Sequence, residues 1–203
     1  MNWALFAAFL VITAVLIVTP GPIVTLVIAT GARQGIRAAL VTVAGTSLGN
    51  VVLLAAIALG LSWVLQNAAA LFEVLRFVGA AYLIWLGIQA WRHAGELKPA
   101  EMSGRVNFTR GFAVALSNPK TIAFFTAFLL QFVDPKLPAG TQLLVMCVVT
   151  ALFAALSDSA WAIASGMGRA WFMRPARAKL LGRMSGAVLM GGGIWLSLAR
   201  RTG

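Results

Sequence analysis

Cys147 is the only cysteine among 203 residues, which excludes a disulfide framework, a cysteine metal cluster and thiol–disulfide transfer. It reads as a packing residue inside a helix. Histidine is equally scarce: His93 stands alone in a polar stretch, away from any nucleophile it could serve as the base of a hydrolase, and reads as a solvated loop residue. Charge is the largest deficit. Only 10% of residues are charged and 61% are hydrophobic, whereas a soluble domain has about a quarter of its residues charged. No charged residue occurs between Met1 and Arg33. That run lacks a basic leader and is too long for the core of a secretory signal, so it is expected to remain as a first membrane span. The net charge of +11 does not indicate nucleic acid, which needs a soluble basic face. Here the bases lie between apolar blocks, as in the loops of a polytopic membrane protein.

A bilayer core needs about 20 apolar residues as helix, and the charged and proline-rich breaks divide the chain into six spans near 3–31, 38–66, 70–91, 108–133, 139–168 and 179–199. The expected fold is all-α, a single membrane domain over 1–203. The polar stretch 92–109 separates two three-helix halves, about 1–92 and 108–203, with the linker proper at about 93–107. Arg33, Arg37, Arg92, Lys98, Arg105, Arg110, Arg169, Arg174, Arg177, Lys179 and Arg183 follow spans 1, 3 and 5. These loops are expected to be cytoplasmic, with both termini outside. Arg76, Lys136, Arg200 and Arg201 fall on the other side, and Lys120 belongs to neither.

Span 1 is interrupted by Thr19, Pro20, Gly21 and Pro22, and span 4, the first of the second half, by Ser117, Asn118, Pro119 and Lys120. Halves with an odd number of helices insert in opposite senses, and broken helices at matching positions of inverted repeats point to a transporter's central site. Proline removes a backbone donor, and the freed carbonyls need protein or a wet cavity. Pro22 and Pro119 also suit the first turn of a new helix. Amides from Ile23 and from Lys120 onward would then offer a positive dipole end to a substrate carboxylate. A plain proline kink is the competing reading.

Both breaks and Asp158 lie about ten residues from a cytoplasmic span end, roughly 15 Å deep and close to the midplane. Lys120 and Asp158 are therefore expected to pair, directly or through water and substrate, because an unpartnered intramembrane charge costs about 2.5 kcal/mol or more. A purely structural ion pair is the alternative. Burial disfavours the charge on Asp158 and a neighbouring cation favours it, so Asp158 can alternate between a proton and a substrate ammonium, with Ser157 and Ser159 forming a hydrated wall. Gly45 and Gly49 favour close helix approach near this site, and Asn50 faces either the bundle or the site. Gly182 and Gly186 repeat the spacing and face a second subunit or a neighbouring helix. Glu73 and Arg76 read as a local pair.

These features resemble the LysE/RhtB family of bacterial inner-membrane exporters over nearly the whole chain. The resemblance rests on "TPGP" (19–22), "GARQGIRAALVTVAGTSLGN" (31–50), "LRFVGAAYLIWLGIQAWR" (75–92), "FTRGFAVALSNPKTIAFFTAFLLQFV" (108–133) and "DSAW" (158–161). Two positions depart from the family pattern: Leu130 stands where a proline usually precedes Gln-Phe, and Val51 and Val52 occupy a stretch that often holds histidine. The resemblance implies proton-driven efflux of a small amino acid or analogue, a homodimer, and no cofactor. The substrate site would comprise Thr19, Pro20, Gly21, Pro22, Ser117, Asn118, Pro119, Lys120 and Asp158, with Asp158 coupling to protons. An exporter of a metal ion or peptide is the alternative, although one midplane carboxylate is too few for a metal route. A membrane enzyme is the more distant one.

Overall fold

The computed structural model describes residues 1–67, 69–95, 107–172 and 174–198, and the chain is helical with no strand among them. Linker residues Lys98 and Arg105, the tail residues Arg200 and Arg201, and the Glu73 side chain lie outside the described set.

Span 1 consists of two helices. In α1 (Trp3–Val18) the Asn2 side chain accepts hydrogen bonds from the Ala4 and Leu5 amides, satisfying donors that a helix start leaves open. Thr19 ends the helix in extended conformation. After Gly21, α2 (Pro22–Gln34) opens with proline in its first turn and closes at Gly35, whose φ of 90° suits glycine. The two axes differ by 43°. α3 (Ile36–Asn67) and α4 (Ala69–Arg92) complete the first half.

The second half also begins with a split span. α5 (Asn107–Leu116) and α6 (Pro119–Phe128) are split at Ser117–Asn118, and a 3-10 turn, Leu129–Phe132, prolongs α6. That turn contains Leu130. α7 (Ala139–Met167), the short α8 (Arg169–Phe172) and α9 (Pro175–Leu198) follow.

Among the described residues, four stretches are long and apolar enough to cross a bilayer: Ile36–Leu61, Val74–Arg92, Asn107–Phe132 and Ala139–Met167. The bent pair α1 and α2 makes a fifth if it is one span. α9 falls short of the expected sixth because Arg183 and the glycines at 182, 186 and 191–193 dilute its apolar run. By length and composition, the described residues make a helical protein with four or five candidate membrane spans, and the expected sixth is not confirmed.

Glycines set the helix crossings. A Cβ on Gly45 or Gly49 would collide with the α5 backbone at Phe108 and Phe112, and one on Gly111 with Thr42 of α3, so α3 and α5 touch backbone to backbone. Gly87 of α4 meets Gly186 of α9 in the same way, and Gly182 meets Ala94. Of the two partners considered for Gly182 and Gly186, the neighbouring helix is the one found. α3 also packs on α7, α2 on α7, and α4 on α6. Toward the end that holds Met1 and the α6–α7 connection, an aromatic core closes the bundle. Phe9 packs edge-on to Phe132, while Phe128 stacks between Phe124 and Trp195.

Candidate functional site

Pro20 has no amide proton to give the Leu16 carbonyl four residues back, so that acceptor is orphaned at the end of α1. Lys120 fills the gap. Its Nζ donates to the Leu16 carbonyl at 2.7 Å and to the Thr19 carbonyl at 2.6 Å, placing a buried ammonium at the negative end of the α1 dipole. The lysine stem crosses Gly21 so closely that a Cβ there would lie 2.9 Å from Cδ. The interruption of span 1 is thus completed by a side chain from the interruption of span 4. An ammonium has three donors, and one remains.

The two new helix starts differ. At α6, Asn118 accepts from the Lys120 amide at 3.1 Å and donates from Nδ2 to the Thr121 hydroxyl at 2.8 Å, so this N-terminus is already capped. At α2, Gly21 supplies no capping side chain, and the Thr25 amide donates to the Gly21 carbonyl. The preceding amides, on Ile23 and Val24, belong to residues that line a small cavity. Of the two helix starts expected to offer amides, only α2 offers an uncapped first turn.

Asp158 lies on α7 and is 4% exposed. Its Oδ2 accepts from the Thr46 hydroxyl at 3.3 Å, and the same hydroxyl is 3.0 Å from the Val43 carbonyl. One hydroxyl rotor therefore serves two states. It donates to the carboxylate when Asp158 is ionised, and it accepts from a protonated Asp158 while donating to Val43. Asp158 and Lys120 line the same cavity of about 50 Å³, together with Gly21, Asn50, Asn118 and Thr150. They form no direct ion pair, since Lys120 is held by carbonyls and Asp158 by Thr46. Of the expected forms of pairing, the direct contact is absent, and a bridge across the cavity is the geometry available.

A larger space of about 770 Å³ adjoins this cavity. Pro20, Pro22, Pro119 and Arg33 line it, with faces of α4 and α9 and the exposed His93. Gly21 and Lys120 border both spaces, so they form the partition between vestibule and inner cavity. At the mouth, Arg169 ties the end of α2 by donating to the Ala32 and Arg33 carbonyls.

Some expected site residues stand elsewhere. Ser117 is exposed and donates to the Ala113 carbonyl at 2.7 Å. Thr19 donates its hydroxyl to the Val15 carbonyl and contributes only its own carbonyl, to Lys120. Ser159 bonds the Ala155 carbonyl, and neither it nor Ser157 lines the cavity. The polar wall near Asp158 is instead Thr46, Asn50 and Thr150. Thr46 and Thr150 were missed, although Thr46 lies four residues before Asn50 and Thr150 eight before Asp158, spacings that share a helix face.

A family model described as LysE type translocator matches residues 14–200. The homoserine/homoserine lactone efflux protein of Salmonella typhimurium is 32% identical over 98% of this chain and 99% of its own length. An uncharacterized membrane protein of Pseudomonas aeruginosa is 35% identical over 90% of each chain. The leucine efflux protein of an Enterobacter species is 29% identical over 68% of each. No solved structure matches the chain. A family match over residues 14–200, with a relative 32% identical over 98% of the chain, means that the chain belongs to the LysE type translocator family, whose members are transporters and not enzymes.

Proposed function

We propose that this protein exports amino acids or close analogues from the cytoplasm across a bacterial inner membrane, in exchange for protons. The observation that carries the reading is a single cavity bordered by complementary groups: the uncapped first turn of α2, the spare donor of Lys120, and Asp158. A zwitterion fits that set, with its carboxylate on the amides and ammonium and its own ammonium on Asp158. Relatives named for efflux of homoserine and homoserine lactone and of leucine support a cargo of the amino-acid class. A metal ion would want several clustered soft or anionic ligands, and this cavity offers one carboxylate.

The vestibule opens beside Arg33 and His93, on the side of the basic loops, which the charge asymmetry assigns to the cytoplasm. The halves are read as inverted repeats. Exchanging them maps the α3–α7 and α4–α9 contacts onto themselves. The same exchange maps α6 on α4, which are packed, onto α2 and α9, which face each other across the vestibule. One departure from symmetry is therefore the cytoplasmic opening; the α3–α5 and α2–α7 packings are also closer than their counterparts. Closing α2 onto α9 while parting α6 from α4 would expose the cavity outside.

Cells loaded with dipeptides and followed for amino-acid release test the reading. Release of a homoserine-like or leucine-like product should rise with the intact protein. Equal release from cells lacking it, across a panel of labelled amino acids, would refute the assignment.

A further inference from the structure

Three buried side-chain oxygens lack a hydrogen-bond partner on the side of the midplane away from the vestibule: Thr13 Oγ1, Asn50 Oδ1 and Thr150 Oγ1. Their residues are 3%, 6% and 2% exposed. A buried polar group without a partner is costly, and in the membrane core the cost is greater still. Such groups are ordinarily met by bound water. Asn50 and Thr150 both line the inner cavity with Asp158. Its volume of about 50 Å³ exceeds the roughly 10–15 Å³ that one water requires on this measure.

Register places these groups in a file. Thr150, Ala154 and Asp158 succeed one another at four-residue intervals on α7, and all three line the cavity. Thr46 and Asn50 do the same on α3, where Thr46 contacts Asp158. α3 and α7 pack together and run in opposite directions, since Thr46 meets Asp158 while Leu54, farther along α3, meets Cys147, earlier on α7. Asn50 therefore lies one turn beyond the Thr46–Asp158 contact, at the level of the small Ala154, and Thr150 one turn farther. Thr13 of α1, a helix that also packs on α7, lies one turn before Leu16 and Ile17, which line the cavity. The file leaves Asp158 in the direction opposite to the vestibule and ends under the Phe9 and Phe132 closure.

We infer that Asn50, Thr150 and Thr13 hold a chain of water that delivers protons to Asp158 from the outer side, separate from the route by which substrate arrives. This rests on the proton-exchange reading of the same cavity. Hydroxyl and amide groups can each donate and accept, so they can hold water without capturing the proton, which travels as hydronium and is bound only at Asp158. The elements packed on α7 bring little competing charge. α1 has none, and those of α2, α3 and α8 are Arg33, Arg37 and Arg169, all exposed and far down the vestibule side. Lys120 is the one other charged residue lining the cavity, and its ammonium is held by two carbonyls.

The test uses the full chain in proteoliposomes with labelled homoserine and leucine, and compares two modes. Exchange of labelled for unlabelled substrate needs no net proton movement, whereas accumulation against an imposed pH gradient does. Thr13→Val, outside the cavity lining, removes the outermost hydroxyl of the file at similar volume; it should lower gradient-driven accumulation by about tenfold and leave exchange within about twofold of wild type. Asn50→Leu and Thr150→Val border the substrate cavity, so they should lower both modes, gradient-driven accumulation the more. Thr13→Ser, which restores the hydroxyl, should behave as wild type in both modes and also shows that the site tolerates change. The inference is overturned if both modes fall together in Thr13→Val, if neither changes in it, or if a sodium gradient replaces the pH gradient in driving accumulation. A wild-type protein that exchanges no amino acid at all refutes the exporter reading itself, a result none of the other outcomes resembles.

Discussion

Replacing Lys120 with methionine removes the donor that completes the break of span 1. Two buried carbonyls, on Leu16 and Thr19, lose their only side-chain partner. Leaving one buried acceptor unmet costs about 1–3 kcal/mol, so the pair costs about 2–6 kcal/mol. Against this, the variant no longer buries a lysine charge, which is worth about 2.5–3.5 kcal/mol on the insertion scale. The difference runs from about 1.5 kcal/mol of stabilisation to about 3.5 kcal/mol of destabilisation, centred at about 1 kcal/mol of destabilisation. Lys120→Met should therefore fold, melt somewhat earlier in detergent, and transport nothing because the junction of α1 and α2 is no longer held. Lys120→Gln separates the two roles of the side chain. Its amide has two donors for the two carbonyls and no charge, so it should recover most of the lost melting temperature yet remain defective in transport. The paired assays are thermal unfolding of the purified protein and substrate exchange in proteoliposomes. If Lys120→Met melts like wild type and Lys120→Gln is no better, the carbonyl-capping role is wrong.

Asp158→Asn keeps an acceptor for Thr46 but cannot exchange a proton, so gradient-driven accumulation should vanish while residual exchange persists with a raised half-saturation concentration. Retention of full gradient-driven transport would contradict the coupling role. Gly45→Ala forces a methyl into the Phe108 carbonyl and should cost about 1–3 kcal/mol through overpacking, seen as a lower melting temperature and folded yield; Gly60→Ala, which meets nothing within 4 Å, is the matched control. Arg169→Ala should loosen the α2 end by roughly 1–2 kcal/mol, read as faster amide exchange around Ala32. Outside the membrane spans, hydrogen bonds from the Lys136 amide and the Asn2 side chain hold the Asp134 carboxyl below its usual range. A depressed folded-state value contributes stability above the unfolded value of 3.8 and loses it as pH falls through the folded one. Asp134→Asn should therefore flatten the loss of stability below pH 4, measured by melting across that range.

The parts of this molecule legible in the sequence were those governed by local chemistry. Pro20 and Pro22 had to interrupt a helix because each lacks an amide proton, and Asn118 before Pro119 had to begin one. Gly45 and Gly49 announced a close crossing by spacing alone, though only packing shows that α5 is the partner. The rest was hidden by distance in the chain. Lys120 and Asp158 shared an estimated depth, which suggested a pairing directly or through water and substrate; both line one cavity, but depth cannot reveal that Leu16 and Thr19 present two unmet carbonyls to the ammonium, which leaves only the bridged form. Ser117 and Ser159 looked like site residues because they adjoin the motifs, yet a serine inside a helix commonly bonds the carbonyl four residues back, and both do so. Thr46 and Thr150 were invisible among many helical threonines until the antiparallel packing of α3 on α7 selected them. The sixth span was read from an apolar stretch between charged breaks, and the glycines that let α9 approach α4 also make it less apolar than the other spans.

The claim on which the account depends is that substrate and proton move in opposite directions through one site. It is tested most directly by trapping a pH-sensitive dye inside proteoliposomes, adding homoserine or leucine outside, and recording luminal pH. Wild type should drive the dye alkaline as substrate enters and protons leave, and Asp158→Asn should give no response. Substrate entry with no change in luminal pH, or the same alkaline shift from Asp158→Asn, would contradict it.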